Sequence, residues 1–104
     1  MVERIEKLKE FLINNPDDDF VQHALALEFI KIGDDREART LFEKILSRNA
    51  SYVGSYYHYA KLLERTGEKE KALEWYELGM QAAKKAGEQH SYKELQAAFE
   101  ELSE

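Results

Sequence analysis

Apolar side chains along this chain recur at intervals of three and four rather than two, and only one proline and five glycines interrupt them. That is the pattern of helices throughout, so the fold class expected is all-α. The first stretch is representative: Ile5, Leu8, Phe11 and Leu12 fall on one stripe, with charged residues between them. Periodicity and breakers together predict six helices, over about 2–14, 18–31, 35–48, 52–66, 69–86 and 91–102. Gly33 is placed to close one helix in the left-handed conformation, and Asp34 with Glu37 makes a D-x-x-E start for the next. Gly67 closes the helix over 52–66, and Gly87 ends the long helix that holds Trp75 and Met80. "SYKE", residues 91–94, reads as a further capping box. Each cap contributes about 1 kcal/mol, enough in sum to decide the segmentation.

The breakers are also periodic. Gly33 and Gly67 lie 34 positions apart, and the same shift carries Ala26 onto Ala60, Ala38 onto Ala72, Phe42 onto Tyr76 and Glu43 onto Glu77. Pro16, Ala50 and Lys84 share the phase. A 34-residue period with a small residue inside each helix of a pair is the tetratricopeptide signature, and residues 19–84 resemble that family. Its pattern W-x2-L-G-x2-Y…A-x3-F…P is met by Leu25, Ala26, Phe29, Ala38 and Phe42, and again by Tyr56, Tyr59, Ala60, Leu63, Ala72 and Tyr76. Departures from it are Gln22 in place of tryptophan, Ile45 in place of a small residue, and Ala50 and Lys84 in place of the closing proline. Gly79 supplies in the second repeat the small residue that Ile45 does not supply in the first.

The resemblance implies an antiparallel helix-hairpin stack in a single domain, 1–104. Residues 1–16 form a partial repeat, 17–50 and 51–86 are full repeats, and 87–104 are a capping helix. Arg4 stands where the partial repeat would carry its small residue. In the last helix Tyr92, Leu95, Phe99 and Leu102 share one face, opposite glutamates.

"SYVGSYYHYA", residues 51–60, is the densest aromatic stretch of the chain. At 100° per residue Tyr52, Tyr56, Tyr59 and Leu63 fall on the stripe that meets the partner helix, so they read as core. Tyr57 lies on another stripe with Lys61, Glu64 and Arg65, next to His58; its equivalent in the first repeat is Phe20, His23, Leu27, Ile30 and Lys31. In the resembled family this stripe of each first helix lines the concave groove where peptides bind, which makes these nine residues the candidate site. The helix over 18–31 is apolar nearly all round, so its second side needs a cover: a ligand, a second copy, or another helix of the same chain. A peptide with a hydrophobic side chain beside an acidic group is the expected guest, set against an apolar end of Phe20, Leu27, Ile30 and Tyr57 and a charged end of Lys31, Lys61, Glu64 and Arg65. The family's lysine and asparagine clamp for heat-shock chaperone tails is not matched, since His23, Leu27 and His58 occupy three of its places. Trp75 is expected to pack under the last helix.

Composition narrows the chemistry. The 104 residues suffice for one core without metal or disulfide staples, and there is no cysteine to form either. The net charge of −6 is local: Asp17, Asp18 and Asp19 supply half of it and residues 87–104 contribute −4, while the rest is balanced or nearly so. Without a basic stripe, nucleic acid is not an expected partner, nor is an anionic membrane surface. The start "MVERIEKLKEFLINNP" has no apolar core of a leader, and no apolar run reaches membrane length, so a cytoplasmic location is expected. His23, His58 and His90 have no metal-binding spacing, and the aspartate run lacks the glycine and distal glutamate of a calcium loop. Phosphate-cradling and nucleophile motifs are missing, and Glu100 and Glu101 diverge around their helix. The expected function is a non-catalytic interaction module or scaffold, without cofactor or metal, that binds a protein or peptide. Self-association through the same apolar surface or the terminal helices is the alternative.

Overall fold

The glycines and aspartates that punctuate the sequence set the helix ends. The computed structural model describes residues 2–104 as six helices: α1 (Val2–Asn14), α2 (Asp19–Lys31), α3 (Asp35–Arg48), α4 (Val53–Arg65), α5 (Lys69–Ala86) and α6 (Gln89–Ser103). Met1, part of the expected partial repeat, lies outside the described residues. Among those described there is no strand, and no helix is long and apolar enough to cross a membrane. Gly33, Gly67 and Gly87 take φ of 81°, 86° and 73°. After each of them the next N–H turns back onto the carbonyl five residues earlier: Asp34 on Phe29, Glu68 on Leu63 and Glu88 on Ala83, at 2.8, 2.8 and 2.9 Å. Asp18 and Asp34 start α2 and α3 by accepting the N–H of Val21 (3.0 Å) and Glu37 (3.2 Å). The capping box at 91–94 does not form. Once Gly87 has reversed the chain, Glu88 serves as the boundary and α6 begins at Gln89, so Ser91 sits in the first turn and donates to the Glu88 carboxylate at 3.3 Å.

The chain divides into two units, Met1–Arg48 and Asn49–Glu104. In the first, α2 packs on both α1 and α3. Ala26, Ala38, Phe42 and Ile45 are fully buried. Gln22, standing where the repeat pattern has tryptophan, is buried too, and its amide is satisfied at both ends: Nε2 donates to the Pro16 carbonyl at 2.6 Å and Oε1 accepts from Arg48 at 3.0 Å. Arg48 also donates to Asp17 and Asp19, so of the three aspartates one caps α2 and two hold this guanidinium.

Arg4 reaches across from α1 to Glu28 on α2, at 3.2 Å, and Lys31 meets the same carboxylate oxygen at 3.2 Å. Glu28 is 5% exposed. Lys9 lies over the Phe29 ring, 5.6 Å from its centroid, so α1 is the cover for this side of α2. Burial works to raise the Glu28 pKa, but the hydrogen bonds and charges of Lys31 and Arg4 outweigh it and hold the carboxyl below its ordinary 4.5. A depressed folded-state pKa gives stability that is whole above pH 4.5 and lost as pH falls through the lower folded value. The urea midpoint should therefore decline on acidification below that pH, and decline less in Glu28→Gln; equal acid limbs in the two proteins would show that the pair contributes nothing.

In the second unit α5 packs on α4 and α6, and α6 also touches α4. Ala60, Leu63, Ala72 and Tyr76 are fully buried, and Tyr56 and Tyr59 nearly so. The Tyr56 hydroxyl leaves the apolar contact and donates to the Ala50 carbonyl at 2.7 Å. Trp75 is half-buried, and its ring partners are on α4: Tyr59 at 5.1 Å edge-on and Tyr56 at 5.9 Å. One position round α5 from Tyr76 points the indole at the tyrosine stripe, whose residues lie three and four apart on the facing helix.

Candidate functional site

In each unit the candidate stripe is anchored by one ring standing on the core. His23 of α2 meets Phe42 of α3 edge-on at 5.8 Å, and Tyr57 of α4 meets Tyr76 of α5 at 6.4 Å. The two pairs occupy the same register, 34 residues apart, so the sequence period extends from the core to the stripe above it.

On α2, Phe20 is 73% exposed, Leu27 and Ile30 are half-buried, and Lys31 is exposed with its ammonium on Glu28. α1 covers Glu28 and Phe29 and leaves Phe20 open.

On α4, Lys61 lies 5.7 Å from the centroid of Tyr57 and 3.8 Å from the Glu64 carboxylate, which itself accepts the Tyr76 hydroxyl at 2.9 Å. His58 stands edge-on to Tyr57 at 5.6 Å. Arg65 is exposed at the end of the helix. Tyr57 and Lys61 face α6, and with Glu94, Ala97, Ala98 and Glu101 they line a cleft of about 250 Å³.

The α6 side of this cleft was not anticipated from the sequence, where that helix reads as a cap. Its acidic surplus was the available signal. Burial pushes the His58 imidazole down, opposed by Glu94, and burial followed by Glu64, with smaller effects from Tyr57 and Glu101, raises the Tyr76 hydroxyl far above its usual range. Glu94 and Glu101 line the cleft beside the α4 stripe, which carries Glu64 itself. The arrangement also alters the role expected of its lysines: Lys31 and Lys61 each already face a carboxylate on their own helix, so neither is a spare cation awaiting an acidic guest.

The two stripes together present apolar, aromatic and charged surface. Among the described residues no group of three or more histidine, cysteine, aspartate or glutamate side chains could hold a metal ion.

A tetratricopeptide repeat family model matches residues 53–85. The crystal structure of a tetratricopeptide repeat domain protein from Salinibacter ruber is 36% identical, covering 83% of this chain and 96% of that one, with a TM-score of 0.80. The TPR2B domain of yeast Sti1, solved as a complex with pHsp70, superposes with a TM-score of 0.87 over 95% of this chain and 79% of that one, at 18% identity. The type III secretion translocator chaperone SycD of Yersinia enterocolitica gives 0.86 over 95% and 69%, at 13% identity. At such low identity the last two show likeness of fold alone. No curated protein sequence matches significantly.

Proposed function

This chain belongs to the tetratricopeptide repeat family, and we propose that it is a non-catalytic interaction module that holds a peptide or helical segment of a protein partner. The binding residues are those of the two first-helix stripes: Phe20, His23, Leu27, Ile30 and Lys31 on α2, and Tyr57, Lys61, Glu64 and Arg65 on α4. The observation that carries the reading is the repeated anchoring of one stripe ring on one core ring, His23 on Phe42 and Tyr57 on Tyr76. A ring fixed from below offers its upper edge to a ligand at little entropic cost, which is how aromatic anchors come to dominate binding energy. The yeast Sti1 domain was solved with pHsp70, so this fold supports peptide or protein binding there. The mismatched clamp positions His23, Leu27 and His58 direct the present chain to a different guest.

With two full repeats, affinity should be micromolar or weaker, on the order of 8 kcal/mol at most. Peptides selected from a random library should shift the backbone amides of α2 and α4, and Tyr57→Ala should weaken them about tenfold. Shifts confined to α3 and the outer face of α5 would overturn the reading. Phe20 and Ile13, 73% and 75% exposed, favour self-association as a second reading. Sedimentation over a range of concentrations separates the two, since only the second makes mass depend on concentration.

A further inference from the structure

The cleft between α4 and α6 differs in charge from what its lysine suggests. Lys61 is its one lining cation, against Glu94 and Glu101 from α6, and Glu64 stands 3.8 Å from the Lys61 ammonium. Even with Arg65 at the helix end, carboxylates outnumber cations. Lys93, the only lysine or arginine of α6, lines a separate cleft at the α5–α6 turn. The floor is Tyr57, with Ala97 and Ala98 on the facing helix leaving room beside its ring. Lys61 already shows what this floor accepts, since its own ammonium rests over the tyrosine face.

We propose that the α4–α6 cleft recognises a basic side chain, an arginine or lysine of a partner peptide, laid over Tyr57 between Glu94 and Glu101. The inference rests on the reading of the α4 stripe as a peptide surface and adds the charge of the guest. Arginine suits the site better than lysine, because its planar guanidinium stacks on a ring while its edge donates to two carboxylates. Lys61 is then a competitor occupying the same ring face, displaced toward Glu64 when the guest enters. An acidic guest would meet the carboxylates of Glu94 and Glu101 on α6, a like-charge penalty that rejects it.

The test is selection of nine-residue peptides from a fully randomised library on the full chain, followed by amide-shift titration of the selected peptides. Arginine and lysine should be enriched over aspartate and glutamate. The peptides should shift Tyr57, Lys61, Ala97 and Ala98, and bind about fivefold more weakly to the Glu94→Gln, Glu101→Gln double variant, with the difference shrinking in high salt. Both carboxylates are exposed, so the double variant keeps its fold. Lys61→Met should strengthen the same peptides about threefold, a gain that a merely structural lysine would not produce. Selected peptides that are acidic or neutral yet shift these amides overturn the charge assignment and leave the peptide surface standing. Peptides that shift only other faces overturn both. Concentration-dependent broadening of these amides without peptide assigns the cleft to a second copy of the chain and overturns the proposal as well.

Discussion

Gly79→Ala lowers the stability of this protein by about 2 kcal/mol, the reverse of what the same change does in an ordinary helix. Inside a helix, alanine is favoured over glycine by about 1 kcal/mol, through lost unfolded-state entropy and better backbone shielding. At residue 79 of α5 an added Cβ would lie 2.7 Å from the Tyr56 Cβ and 3.1 Å from both Tyr56 Cγ and Leu95 Cδ2. Leucine can rotate away. The Tyr56 Cβ is tied to the backbone of α4, so relief requires the two helices to separate along a contact that also buries Tyr59, Ala60 and Leu63. Overpacking of this kind costs about 1–3 kcal/mol and exceeds the propensity gain. Thermal and urea unfolding followed by circular dichroism should show a melting temperature lower by about 10 °C. Gly54→Ala is the control, because its Cβ would meet only a Tyr52 ring atom at 4.0 Å, and it should be neutral or stabilising. A Gly79→Ala protein as stable as Gly54→Ala would mean that α4 and α5 yield easily, and the close approach would lose its structural importance.

Tyr76→Ala is the second large effect, about 4 kcal/mol, since the ring is fully buried between the α4 core and the candidate stripe. Tyr76→Phe separates the ring from its hydroxyl. It removes the hydrogen bond to Glu64 and leaves a carboxylate that is 30% exposed and can rehydrate, so the expected loss is about 1 kcal/mol. Its pH signature is specific. Burial first, then Glu64, raises the hydroxyl pKa above the ordinary 10.0. A raised folded-state pKa gives stability that is whole below pH 10 and lost as pH rises past it toward the folded value, so Tyr76→Phe should flatten the alkaline limb of the stability curve. In the first repeat the same two register positions hold Phe42 and Ile30. The double variant Tyr76→Phe, Glu64→Ile copies that pair and should recover most of the loss, because removing both partners leaves no polar atom unpaired. An unchanged alkaline limb in Tyr76→Phe would rule out the hydroxyl as a contributor.

Two departures from the repeat pattern share one register. Gln22 in place of tryptophan and Ile45 in place of a small residue fall 34 positions before Tyr56 and Gly79. In the second unit the large ring of Tyr56 meets the missing side chain of Gly79, and in the first a slimmer Gln22 accompanies a bulkier Ile45, both buried. The bulk at this register therefore sits on the first helix of the pair in the second unit and on the second helix in the first.

The 34-residue period by itself determined which residues are core: Ala26, Ala38, Ala60 and Ala72 are fully buried, because helix pairing needs small residues at fixed places and the heptad-like spacing around them leaves no other inner face. Helix ends were likewise legible within two residues wherever a glycine had to adopt positive φ, a requirement local to the chain. Local rules misled at Ser91, where a correct capping pattern lost to a helix that had already begun at Gln89. Only the tertiary structure decided the pairing of Arg4 with Glu28, 24 residues apart, the aromatic partners of Trp75, and the delivery of Glu94 and Glu101 to the edge of Tyr57. Those contacts depend on how one helix crosses another, and side-chain reach across a crossing is a property of three-dimensional placement that no periodicity encodes.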